Sequence, residues 1–86
     1  MEATQMNFQL FQKVALTVDL PEKGLCQGDV ATIVEHHPVR SGEDGYSLEV
    51  FNALGETLRV ITVFASDIQQ LTSAEIFNVR PLAAAD

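Results

Sequence analysis

An all-β domain is the fold class that this 86-residue sequence predicts, on three observations. Apolar residues recur at every second position through Val14, Leu16 and Val18 and again through Tyr46, Leu48 and Val50, the period of a half-buried strand. Val30, Thr32, Ile33 and Val34 form a β-branched cluster of the kind that fits a pleated surface. The stretches between these runs hold Gly, Pro, Asp and Asn, which supply the backbone angles of turns.

The elements follow in order. Phe8 and Leu10 alternate with polar residues, so residues 1–12 form an N-terminal segment with room for a short added strand. The first secure strand is predicted over Lys13–Val18. Pro21 has no amide proton for a ladder, and Gly24 and Gly28 permit positive φ, so Asp19–Asp29 reads as an ordered loop pinned by Leu20 and Leu25. The second strand runs from Val30 to Glu35 or His36. Its apolar positions do not alternate cleanly, which fits burial on both faces or a bend at a bulge. His37–Gly45 is a turn-rich loop, Tyr46–Phe51 the third strand, and Asn52–Gly55 a hairpin connection with Gly55 in the left-handed position. The fourth strand ends at Phe64. Ala65–Ile68 reads as a single helical turn, because Ser66 and Asp67 are capping residues, and Gln69–Leu71 as the closing strand.

A strand, a long loop, a three-strand meander, one helical turn and a short last strand make the order of a five-stranded SH3-like barrel, predicted over residues 13–71. Closure protects the strand edges of so small a sheet. Residues 72–86 are a C-terminal extension, partly flexible, in which Ser73–Phe77 could start a helical turn and Val79–Leu82 could add an edge strand.

Composition bounds the function. The length allows one domain, since domains cluster at roughly 100–150 residues. Hydrophobic residues make up 47% of the chain, enough for a core, yet no run approaches the roughly 20 residues of a membrane span. Residues 1–12 lack the basic and apolar regions of a secretory leader, and Cys26 has no second cysteine, so a cytoplasmic, reducing setting is expected. Twelve acidic residues against five basic ones leave a net charge of −7. Nucleic-acid affinity depends on clustered Lys and Arg, and here Lys13, Lys23, Arg40, Arg59 and Arg80 are scattered. A basic protein partner fits better than nucleic acid or an anionic membrane.

The stretch Asp19-Leu20-Pro21-Glu22, Gly24-Leu25, Gly28-Asp29-Val30-Ala31-Thr32-Ile33-Val34-Glu35, then Tyr46-Ser47-Leu48-Glu49-Val50-Phe51 and Gly55-Glu56-Thr57, resembles a family of small bacterial proteins. That family, common in cyanobacteria, is grouped only as a domain of unknown function, with a D-L-P-E-x-G-L-x-x-G-D-V-G-T-V-V-E signature. The resemblance covers residues 10–71 and implies the SH3-like barrel. Ala31 stands where the pattern has glycine, and Asn52-Ala53-Leu54-Gly55 replaces its Asp-Gly hairpin. Some members are encoded beside toxin-like proteins, so the resemblance also implies an antitoxin- or immunity-like candidate role.

Candidate chemistry weighs little. His36 and His37 are adjacent on a strand and point to opposite faces, so they read as surface histidines, not as a metal pair. Cys26 has no histidine within nine residues to activate it. The Gly24 and Gly28 spacing lacks the Lys-Ser or Lys-Thr of a phosphate loop. Carboxylate pairs need a pocket to split their pKa values, and a filled small barrel offers little. No cofactor, metal or catalytic residue is assigned, and the chain is expected not to be an enzyme. The expected function is a protein-interaction module contacting its partner through Glu22, Glu43, Asp44, Tyr46 and Leu54. Homo-oligomerisation through Phe8, Phe11, Phe77 and Val79 is a further expectation. The alternative is a nucleic-acid- or ribosome-associated barrel, which the net charge disfavours.

Overall fold

A computed structural model describes residues 8–82 of the chain. Five strands, β1 (Lys13–Leu16), β2 (Val30–His37), β3 (Gly45–Phe51), β4 (Thr57–Phe64) and β5 (Ile68–Gln70), form one antiparallel sheet in the order β4-β3-β2-β1-β5. A one-turn 3-10 helix, Ala65–Asp67, stands directly before β5. The all-β prediction, its strand count and this helical turn therefore hold, and the architecture is that of a small β-barrel-like fold.

The period-two patterns place the core. Val14, Ile33, Leu48 and Ile68 are each at most 1% exposed, and Leu48 lies opposite Ile33 on one side and Ile61 on the other. Full burial of such a side chain contributes about 1.5–3 kcal/mol, so these few positions dominate the drive to fold. Between the two expectations for β2, the bulge is realised. The register with β3 shifts between Ile33 and Glu35, so β2 pairs with β3 on both sides of the bulge and with β1 only through Val30, Ala31 and Thr32. Ala31 is buried in the core, so its methyl group is packed and not exposed.

Strand β1 stops at Leu16, two residues earlier than expected. Thr17 leaves the ladder because its N–H donates to the Asp67 carbonyl (2.8 Å) and its hydroxyl to the Ser66 carbonyl (2.9 Å). These bonds draw the chain across to the helical turn. Closure also shifts β5 one residue back, so that Ile68 pairs with Leu16.

The 19–29 loop is ordered as read. Leu20 and Leu25 bridge to each other around the 3-10 turn Pro21–Lys23, with Leu25 buried and Leu20 packed against the core. Asp19 Oδ1 accepts the Gln27 N–H and Asp29 Oδ2 the Cys26 N–H, each at 2.8 Å. Gly24 closes this turn at φ 72°, where a side chain would meet the left-handed penalty. In the β3–β4 hairpin, Asn52 Oδ1 accepts from both Leu54 N and Glu56 N at 2.9 Å.

The ends differ from expectation. Phe8–Leu10 does not form a strand. Gln9 and Gln12 bond to each other and tighten Leu10–Phe11 into a turn, and Phe11 takes φ 68°. The left-handed angle costs a non-glycine residue about 1–2 kcal/mol. It is held because the Phe11 N–H donates to the Ile33 carbonyl (2.6 Å) while Ile33 donates to Gln12 (3.0 Å). At the other end Thr72–Glu75 makes a single turn, and Val79–Leu82 adds no strand. Residues 1–7 and 83–86, the latter part of the extension expected to be partly flexible, lie outside the described residues.

Candidate functional site

The residues expected to bind a partner separate into structural and free groups. Glu43 and Asp44 close the β2–β3 loop against the helical turn. Glu43 accepts the Ser66 N–H (2.8 Å) and hydroxyl (3.0 Å), and the Asp44 carbonyl accepts the Ala65 N–H (2.9 Å). The Asp44 carboxylate bonds His36 Nε2 (2.7 Å) and the Val39 N–H (3.1 Å). These two carboxylates are joints of the barrel.

Tyr46 is a correction. Expected among the partner-contacting residues, it is 4% exposed and belongs to the core. Its period-two position beside Leu48 and Val50 sets this, and its neighbours complete it. His36 stacks on the ring at 4.8 Å with planes 10° apart, and Phe8 meets it edge-on at 5.4 Å. Phe8 is thereby also a packing residue. Burial, with the Asp44 carboxylate adding to it, pushes the Tyr46 phenol above its ordinary value. His37 faces the opposite way and bonds Ser47 Oγ (2.7 Å).

Leu54, 84% exposed, sits at the tip of the β3–β4 hairpin, at the far end of β3 from Glu43 and Asp44. Glu22 is exposed on the 3-10 turn of the 19–29 loop. The five predicted residues therefore do not make one site.

Two apolar surfaces lie apart from the five expected contact residues. The first is a half-open groove of about 820 Å³ between the sheet and the C-terminal segment. Phe51 and Leu58 line the sheet side, and Ile76, Phe77 and Val79 line the tail side. Ile76 and Val79 are 90% and 88% exposed, and Phe77 is also exposed. The tail is fixed by Arg80, whose Nε and terminal nitrogen bond the two oxygens of Asp29 at 2.9 and 2.6 Å. A two-pronged guanidinium–carboxylate pair of this kind sets orientation as well as contact. The second surface is the edge strand β4, where Val60 and Phe64 are solvent-facing although Ile61 and Val63 already fill the core side. A signal for this was present, since apolar residues at both parities in an edge strand leave one set uncovered. Nothing in the sequence signalled the pairing of Arg80 with Asp29.

Titration ties the loops to acid stability. Partial burial pushes the Asp29 carboxyl up, but the Arg80 guanidinium and the Cys26 N–H together hold it below its ordinary 3.8. The His36 ring, then the Val39 N–H, lower Asp44 in the same direction. A carboxyl depressed in the folded state contributes stability above its unfolded value and loses it as pH falls through the folded value. Urea midpoints are therefore expected to hold steady down to about pH 4 and to fall below it, with Asp29→Asn flattening part of the fall. Equal acid sensitivity in the variant would show that Asp29 takes no part.

Among the described residues no group of three or more His, Cys, Asp or Glu could hold a metal ion, and Cys26 is an exposed free thiol. No described helix is long and apolar enough to cross a membrane. The family model described as Domain of unknown function (DUF4926) matches residues 10–70. The chain belongs to that family. The DUF4926 match takes in all five strands and the 19–29 loop but stops before the tail. The tail side of the groove, Ile76, Phe77 and Val79, is thus an addition to the family's matched region. No curated protein and no solved structure matches the chain.

Proposed function

We propose that this chain is a small protein-interaction module, without catalytic chemistry, which binds a basic protein partner through an apolar surface bordered by carboxylates. The observation that carries this reading is the open groove beneath the tail, with Ile76, Phe77 and Val79 held out in solvent. Large apolar side chains clustered beside a groove mark contact surfaces more often than monomer surface. The fixed tail lowers the ordering cost of binding, because Arg80 already anchors it to Asp29. We read the strand order as that of an SH3-like barrel and the setting as bacterial and cytoplasmic. An antitoxin- or immunity-like role suits an acidic module that covers a basic protein. A nucleic-acid role is disfavoured by the charge of −7 and by the commitment of Arg80 to Asp29.

The test uses the full tagged chain as bait in extract of its native host, beside the double variant Ile76→Glu, Val79→Glu. Both positions are exposed, so the fold is expected to persist. One basic protein, captured by the parent and lost by the variant, supports the reading. Nuclease-sensitive RNA in its place would replace it with the nucleic-acid alternative, and labelled RNA is expected to show no mobility shift at low salt.

A further inference from the structure

The outer edge of β4 is a strand-pairing surface with defined ends. Ala65 donates to the Asp44 carbonyl, and backbone groups alternate along an antiparallel ladder. Arg59, Ile61 and Val63 therefore turn their N–H and C=O groups toward β3, while Val60 and Thr62 turn theirs away. The Phe64 N–H, also on the outward side, is taken by Asp67 Oδ2 (3.1 Å), which ends the free stretch at one side. The register shift at Leu58 ends it at the other. Between these stops, nothing among the described residues pairs with the outer backbone of Val60 or Thr62. Two of the outward side chains along it are apolar and open, Val60 at 58% and Phe64 at 61% exposed. The strand has no Lys or Pro to blunt it, and Arg59 lies on the other face, opposite Val50.

Charge decides the occupant. Glu56 stands before the strand, and Glu43 and Asp67 stand at its far end. Pairing with a second copy about Ile61, the centre of the open stretch, would set Glu56 against the Ser66 end, where Glu43 already sits. Two chains of net charge −7 would also approach each other. Like charges placed opposite across a strand pair destabilise it. We propose that β4 accepts an extended segment of a partner protein as a sixth, antiparallel strand, apolar at alternate positions and basic at both ends. Main-chain bonds to Val60 and Thr62 supply affinity, and the flanking carboxylates select the ends. This rests on the interaction-module reading and adds to the tail groove a second, main-chain contact for the same partner.

The probe is the labelled peptide Lys-Lys-Val-Thr-Val-Thr-Val-Thr-Lys-Lys, titrated with the full chain and read by fluorescence anisotropy. N-methylating two central amides that face the edge is expected to weaken binding roughly thirty-fold, the effect of two lost backbone bonds. Thr62→Pro, which removes an outward N–H, and glutamates in place of the terminal lysines are each expected to weaken it as well. Equal affinity for the N-methylated probe overturns the proposal. So does a full chain that dimerises and is made monomeric by Val60→Lys, since a second copy would then be the occupant. Loss of binding on Phe77→Glu with retention on Thr62→Pro places the contact on the tail. That result overturns strand addition but leaves the interaction module standing, whereas capture of RNA in the extract experiment removes the module itself.

Discussion

Leu48→Ala is expected to lower the unfolding free energy by about 3–5 kcal/mol, the upper range for emptying a packed leucine site. Leu48 is fully buried on the middle strand of the meander and lies between Ile33 and Ile61 in the ladder, so no neighbour is free to collapse into the space. A domain of this size holds roughly 5 kcal/mol in total. The variant should therefore sit at the edge of unfolding in plain buffer, visible by near-ultraviolet circular dichroism and by a urea midpoint near zero. Leu54→Ala is expected to leave the midpoint unchanged, because that leucine is in solvent at the hairpin tip. Similar losses for the two leucines would mean that the core is not centred on β3.

Tyr46→Ala carries the second large effect, about 3–5 kcal/mol, because the ring fills the space between His36, Phe8 and the core. Tyr46→Phe keeps that filling and is expected to cost under about 1 kcal/mol. The contrast separates packing from recognition. A contact tyrosine would tolerate alanine in stability while losing partner, and a packing tyrosine does the reverse. Urea unfolding of the two variants, followed beside partner capture, reads both quantities on the same proteins.

The strands were legible because each depends on its own neighbours. The period-two spacing of Tyr46, Leu48 and Val50 placed them on the buried face without any knowledge of what covers them. That same spacing marks Tyr46 as buried, which is at odds with its place among the partner contacts. The helical turn at Ala65–Asp67 was readable from capping chemistry. What was hidden depends on pairs distant in sequence. Glu43 reaches Ser66, Thr17 reaches Asp67 and Arg80 reaches Asp29, and no local pattern encodes such meetings. The acidic residues looked free for a partner because a carboxylate in a polar loop has the same local sequence whether it caps a turn or faces water. The candidate site was legible only in kind, as acidic and apolar. Its location came from the edge position of β4 and from the course of the tail.

The bond from Thr17 to Ser66 joins residues 49 apart in the chain, and the β1–β5 pairing beside it spans a similar separation. The β2–β3–β4 hairpins, by contrast, close over short loops. Loop closure is lost in entropy before the contact returns anything, so the local meander is the natural folding nucleus and the joining of β1 to β5 the late step. Substitutions at Leu48 should then act mainly on the folding rate and substitutions at Ile68 mainly on the unfolding rate. The same order of events leaves β4 exposed on a half-built sheet, so a bound strand there would favour the folded chain during its assembly as well as after it.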